Sequence, residues 1–149
     1  MGMKVILDWV ANHTAWDHSW VEQNPQWYAK DSTGNLFAPF DWTDVVQLDY
    51  NNMEMRAAMT DALEFWVRDV NIDGYRCDVA GMVPVDFWEN SRLALDKIKP
   101  VYMLAEDEGV SSLLNNAFNS NYGWSFHHIM NKIAKGELMN TDELLGSWG

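Results

Sequence analysis

The sequence predicts an α/β fold built on a parallel sheet, on three observations. Short apolar runs alternate with helical periodicities in the order strand, helix, strand, helix, strand, helix, which is the pattern of parallel strands joined by crossover helices. The run Lys4–Asp8 lacks polar alternation, as a strand buried on both faces of a parallel sheet does, and Val101–Ala105 is apolar throughout. Acidic residues end three successive strands: Asp8, Asp78 and Glu106. A doubly wound sheet and part of a barrel both fit the element order. The acids favour the barrel, whose enzymes assemble their sites at the C-terminal ends of the strands. A full (β/α)8 barrel takes about 250 residues. The 149 residues supply about four strand-helix units, around half of one.

The first run, Lys4-Val5-Ile6-Leu7-Asp8, is expected to be a strand ending in a carboxylate. From Trp9 to Asn52 the chain is rich in Trp, Asn, Asp and Pro, with a Ser32-Thr33-Gly34-Asn35 turn signal. It is too long for a plain connection and reads as a loop insertion that carries function. Met55, Ala58, Met59, Ala62, Leu63, Trp66, Val67 and Val70 then recur at three- and four-residue spacings, with Asn51 and Glu54 placed as a capping box. This is a helix.

Ile72 to Val79 alternates large and polar residues and predicts a second strand with charged groups at its end. Asp86 and Glu89 open a second helix that Lys97, Lys99 and Pro100 close. Val101 to Ala105 is the third strand, followed by Glu106, Asp107 and Glu108. Further on, Ser111 to Asn116 predicts a short helix, Ala117 to Asn119 a fourth brief strand, and Trp124 to Lys135 another helix. In that last helix His127-His128 lies among Trp124, Phe126, Ile129 and Met130, which reads as a packed face rather than a ligand pair.

Composition narrows the function. A net charge of -12, from 22 acidic and 10 basic residues, opposes nucleic acid as a partner. No apolar run reaches the ~20 residues of a membrane-spanning helix, so no membrane partner is expected. Cys77 is the lone cysteine, and the spacing of His13 and His18 does not favour a zinc site. Nine tryptophans, six phenylalanines and five tyrosines suit either a Trp-rich core or the stacking of flat faces on sugar rings. Trp9, Trp16, Trp20, Trp27 and Trp42 all fall in or beside the long insertion, which favours sugar contacts for at least one of them.

Two carboxylates at one rim could divide the work of glycoside hydrolysis, one ionised and one protonated. Arg76 lies two residues before Asp78, so on a strand both side chains point the same way, and a guanidinium there would hold the carboxylate charged and aimed. The same pair would equally serve as a structural ion pair at a strand end.

Three ordered blocks resemble the α-amylase family of glycoside hydrolases. Asp8-Trp9-Val10-Ala11-Asn12-His13 matches that family's D-x-x-x-N-H at the end of its third barrel strand. Gly74-Tyr75-Arg76-Cys77-Asp78 matches G-x-R-x-D at the fourth, and Met103-Leu104-Ala105-Glu106 stands in the place of the acid-bearing fifth. Gln47-Leu48-Asp49-Tyr50-Asn51 is similar to a short motif near the end of the third-strand insertion. The resemblance implies a partial TIM barrel, its third to sixth strands, with residues 1–149 forming one catalytic-barrel segment and the insertion at about 9–52. It also implies an α-glucan substrate, with Asp78 as nucleophile, Glu106 as general acid and base, and Arg76 positioning Asp78. His13 would bond the sugar in the cleaved subsite, and Asp8 would support the strand-end network. No cofactor is required for the chemistry; Asn12 matches a position that binds calcium in many members.

Three departures stand beside these matches. Gly81-Met82 replaces a Lys-His pair that lines an acceptor subsite, and Asp107 replaces an aromatic residue after the acid. No His-Asp pair follows Glu106, although in the family such a pair supplies a transition-state carboxylate. The expectation is a central barrel segment, nearly inactive by itself and prone to self-association through open edges. The alternative is a non-catalytic carbohydrate-binding or purely structural segment of the same fold. A flavodoxin-like sheet would need a Gly-rich phosphate turn after a strand, and the sequence has none.

Overall fold

A computed structural model describes residues 2–137. The expected domain span of 1–149 therefore includes twelve C-terminal residues, 138–149, that lie outside the described ones. Four parallel strands form the main sheet in the order β1 (Ile6–Val10), β4 (Gly74–Asp78), β5 (Tyr102–Ala105) and β6 (Ser120–Asn121). Between the first two, β2 (His13–Ala15) pairs antiparallel with β3 (Val45–Gln47), His13 standing opposite Gln47. The helices are α1 (Ser19–Gln23), α2 (Met53–Arg68), α3 (Val85–Asp96), α4 (Leu113–Asn116) and α5 (Trp124–Ala134). Among the described residues no helix is long and apolar enough to cross a membrane.

The parallel α/β order expected from the sequence is present: α2 carries the chain from the insertion to β4, and α3 carries it from β4 to β5. Met55, Met59, Leu63 and Val67, one residue per turn of α2, are buried against the sheet. On α3 the buried face is Phe87, Trp88, Ser91 and Leu95, and the Ser91 and Thr60 hydroxyls meet at 3.1 Å between the two helices. Tyr75, Cys77, Met103 and Ala105 on β4 and β5 are wholly buried, and the Tyr75 hydroxyl donates to the carbonyl of Leu63 at 2.6 Å. These buried central strands carry the rim.

Five expectations are corrected. The first strand is Ile6–Val10 rather than Lys4–Asp8, and it is not buried on both faces: as the edge strand it leaves Ile6 38% and Val10 44% exposed, while Leu7 and Trp9 pack inward. The cap of α2 is Asn52, whose side chain accepts from the Glu54 and Met55 amides at 3.0 Å. Asn51 is held instead by the carboxylate of Asp49, which takes both its backbone and side-chain N–H groups. The long insertion is not simply a loop, since β2, β3 and α1 arise within it and Tyr28, Val46, Leu48 and Tyr50 join the core. The fourth strand is Ser120–Asn121, shifted past Ala117–Asn119, because pairing with Leu104 and Ala105 sets it rather than local propensity. In α5 the apolar pattern is present, but no residue is buried, so His127-His128 does not lie in a packed face among the described residues.

Candidate active site

Arg76 sits at the middle of the C-terminal rim. Its Nη1 donates to Oδ1 of Asp8 and to Oδ1 of Asp78, each at 2.8 Å, and its Nη2 lies 2.8 Å from Oε1 of Glu106. Its Nε donates to the Tyr122 hydroxyl at 3.0 Å, and that ring lies 5.6 Å from the guanidinium carbon. Three features of the chain produce the cluster. Alternation on β4 turns Arg76 and Asp78 to one side, the parallel register sets Asp8 beside Arg76, and Glu106 follows the last residue of β5. Asp8, Asp78 and Glu106 are thereby joined by one cation, although Asp8 is the third of the five residues of β1 rather than its last, because that strand runs on to Val10.

The guanidinium is only a fifth exposed. Burial disfavours its charge, but bonds to Tyr122, Asp78 and Asp8 and the attraction of Glu106 outweigh this and raise its pKa above the ordinary arginine value. Arg76 is therefore a fixed positive charge, and its planar fork holds several oxygens at once, as lysine's single ammonium would not.

Glu106 is held from a second direction. Its Oε2 accepts the backbone N–H of Val79 at 3.0 Å, while its own N–H donates to the Cys77 carbonyl at 2.9 Å. Val79 adopts φ +38°, a left-handed conformation unusual for a β-branched residue. The three consecutive acids after β5 take three separate directions. Asp107 Oδ1 accepts the Val110 amide at 2.6 Å, and its Oδ2 fills the space beside Gly81, where an added Cβ would come within 2.1 Å of it. Both carboxylate oxygens of Glu108 meet the Ser125 amide, at 3.0 and 3.1 Å, and tie the first turn of α5. Because the strand stops at Ala105, the alternation that would place Glu108 beside Glu106 does not extend that far.

An open cleft of about 320 Å³ is lined by His13, Trp42, Asp44, Val45, Asp78, Val79 and Glu106. His13 is half-buried; desolvation lowers its pKa, with Asp78 and Asp44 pulling the other way. Trp42 stands edge-on to His13 at 5.4 Å between ring centroids and to Phe40 at 5.3 Å. Phe40 is 77% exposed at φ +53°. Of the five tryptophans, Trp42 alone lines this cleft; Trp20 and Trp27 pack on each other at 5.0 Å, Trp9 packs on Tyr75 at 5.5 Å, and Trp16 donates to the Thr43 carbonyl.

Asn12 is wholly buried below His13. Gln47 Nε2 donates to the Asn12 carbonyl at 3.1 Å and to Asn12 Oδ1 at 3.0 Å, and Asn12 Nδ2 meets Gln47 Oε1 and His13 Nδ1 at 3.3 and 3.2 Å. An amide NH2 group thus stands against the two oxygens that a calcium ion at Asn12 would use, and this donor set does not fit a hard cation. Among the described residues no group of three or more His, Cys, Asp or Glu side chains could hold a metal ion.

Sequence reasoning picked out Asp8, Arg76, Asp78 and Glu106, which the fold brings into one network, and His13, which it sets at the same cleft. It missed Tyr122, whose hydroxyl reaches Arg76 from 46 residues away, and the backbone of Val79. It also missed Gln47 as a partner of Asn12. The signal available for that pair was two amide residues, each adjoining apolar neighbours, in two short motifs.

The family model described as the catalytic domain of alpha amylase matches residues 21–143, a span that holds Arg76, Asp78 and Glu106. An intracellular maltogenic amylase of Bacillus subtilis is 30% identical over 125 residues, covering 70% of this chain and 20% of its own length. The crystal structure of a maltogenic alpha-amylase from Thermotoga neapolitana superposes with a TM-score of 0.82 at 33% identity, over 95% of this chain and 33% of that one. An alpha-amylase structure from Lactobacillus plantarum gives 0.84 at 32% identity, over 96% and 37%. The chain spans about a fifth of the length of that curated relative and about a third of these solved chains.

Proposed function

The chain belongs to the α-amylase family of glycoside hydrolases, and from that premise we propose that its rim carries the reacting carboxylates of a retaining α-glucan hydrolase. The observation that carries the reading is Arg76, which holds Asp8, Asp78 and Glu106 together beside a cleft that His13 and Trp42 also line. Strands β1, β4, β5 and β6 are assigned to the third to sixth strands of a (β/α)8 barrel, on the order of the sequence blocks and their parallel pairing.

In this reading an Asp78 oxygen attacks the anomeric carbon, and the bond from that carbon to the glycosidic oxygen breaks as Glu106 gives that oxygen its proton. Water then attacks the glycosyl-Asp78 ester, losing a proton to Glu106 and restoring both side chains. Arg76 keeps Asp78 aimed, His13 donates to the sugar, and Asp8 braces Arg76 from the neighbouring strand. Trp42 offers a ring to a sugar face.

These 149 residues alone are proposed to turn over substrate poorly. The sheet is open at β1, Asp8 is largely solvent-exposed, and no His-Asp pair follows Glu106. The same open edge and the exposed apolar residues of α5 favour pairing between two copies.

Release of reducing ends from maltooligosaccharides tests the assignment. In a polypeptide carrying these residues within a full barrel, Asp78→Asn and Glu106→Gln each cut turnover by about 10³-fold. Undiminished turnover in either variant overturns it. For the 149 residues alone, maltooligosaccharide binding without turnover supports the carbohydrate-binding alternative for the isolated segment.

A further inference from the structure

Gln47 and Asn12 form a two-residue amide relay under His13, and we propose that this relay, rather than a bound cation, locks the imidazole in the tautomer that carries its proton on Nε2. Gln47 is the fixed end of the relay. Its Nε2 lies 3.1 Å from the Asn12 carbonyl oxygen and 3.3 Å from that of Leu48. Backbone carbonyls only accept, so the amide cannot be turned over without setting an oxygen against both of them. That fixes Gln47, with Nε2 also donating to Asn12 Oδ1 at 3.0 Å and Oε1 facing Asn12 Nδ2 at 3.3 Å.

Asn12 is fixed in turn. It is wholly buried, and the side-chain atom 3.0 Å from the Gln47 donor must be its acceptor, Oδ1. Its Nδ2 then presents hydrogens to Gln47 Oε1 and to His13 Nδ1 at 3.2 Å. A ring nitrogen that accepts a hydrogen bond carries no proton, so neutral His13 holds its proton on Nε2. With Nδ1 turned to the buried amide, Nε2 is the nitrogen left for the cleft that His13 lines. Strand pairing makes the relay possible, because β2 and β3 place His13 directly opposite Gln47.

The relay also explains why the donor set at Asn12 rejects calcium. The Gln47 NH2 group supplies positive charge density to the two Asn12 oxygens, which is the service a cation would perform there. Gln47 is a positioning residue. Only the use of the Nε2 proton, donation to a sugar oxygen, rests on the function proposed above.

Long-range 1H–15N correlation spectra of the imidazoles, recorded on the 149-residue chain at alkaline pH, test the relay directly, with His13 assigned by its loss in His13→Gln. The expected pattern is protonated Nε2 and bare Nδ1 in the wild type, with spectrum and melting temperature unmoved by millimolar calcium or by EDTA. Gln47→Glu removes the donor and leaves an all-oxygen set. It should mix the two His13 tautomers and make the melting temperature rise with calcium. Gln47→Met should mix the tautomers with no calcium response. A wild type that already shows both tautomers, or that melts higher with calcium and lower with EDTA, overturns the proposal, and neither result depends on a variant folding. The locked tautomer in a full barrel that hydrolyses no glucan leaves the relay standing and removes the hydrolase reading; hydrolysis with mixed tautomers does the reverse.

Discussion

The backbone N–H of Val79 points at Oε2 of Glu106 from 3.0 Å, and Val79 itself is held at φ +38° immediately after Asp78. The residue that follows one rim carboxylate thus orients another on the next strand. A β-branched side chain in this region costs about 1–3 kcal/mol. Val79→Gly removes that strain and adds about 0.4–1 kcal/mol of unfolded-state entropy. We expect a net gain of about 1 kcal/mol in urea unfolding; a clear loss would show that the valine is not strained.

Gly81 and Asp107 are coupled, since the Asp107 carboxylate occupies the space that a Cβ on Gly81 would need. Gly81→Ala displaces that carboxylate from the Val110 amide and should cost about 1–2 kcal/mol. Asp107→Ala alone should cost about 1 kcal/mol through the lost bond. In the double variant the costs should fall well short of additive, which a double-mutant cycle in denaturant will read. Strict additivity would mean the two positions do not meet.

Gly74 permits the approach of β4 to β5. A Cβ there would sit 1.9 Å from the Tyr102 carbonyl oxygen, a backbone atom that cannot swing aside. Gly74→Ala should therefore lower stability by about 3 kcal/mol, measured by urea or thermal unfolding. A loss below about 0.5 kcal/mol would mean that the sheet can part there at little cost.

Asp73 ties the start of β1 to the entrance of β4. Its carboxylate accepts the Val5 amide and the Lys4 ammonium, each at 3.0 Å, and these hold its pKa below the ordinary carboxylate value. A folded pKa depressed in this way gives stability that is present above the unfolded value of about 4 and is lost as the pH falls through the lower folded one. Unfolding midpoints of wild type and Asp73→Asn should therefore differ at neutral pH and converge on acidification below about pH 4. A gap that persists in acid would assign the difference to something other than this charge.

How much of this was legible in the sequence depends on what each signal measures. The spacing of Met55, Met59, Leu63 and Val67 reports a helix with one buried face, and α2 has that face. Asp78 and Glu106 were legible at their strand ends because strand direction alone fixes which end they share, whereas Asp8 reaches the same cation from mid-strand through the pairing of β1 with β4. An apolar run, by contrast, does not say whether a strand has one neighbour or two, and so the open side of β1 at Ile6 and Val10 was unreadable. For the same reason the apolar stripe of α5 is written in the residues, whereas its exposure is a property of what surrounds it. Tyr122 and Gln47 meet Arg76 and Asn12 only through tertiary contact, which no local pattern encodes.

One buried atom supplies a timepiece for the whole sheet. Cys77 is the single sulfhydryl of the 149 residues, wholly buried one residue before the end of β4, with Trp9 and Ala105 as its neighbours across the pairing. Burial raises its pKa above the ordinary thiol value, so the folded chain offers an alkylating reagent neither access nor thiolate. Each molecule that reacts has therefore parted its central strands first, and the rate of alkylation counts those openings without any engineered label.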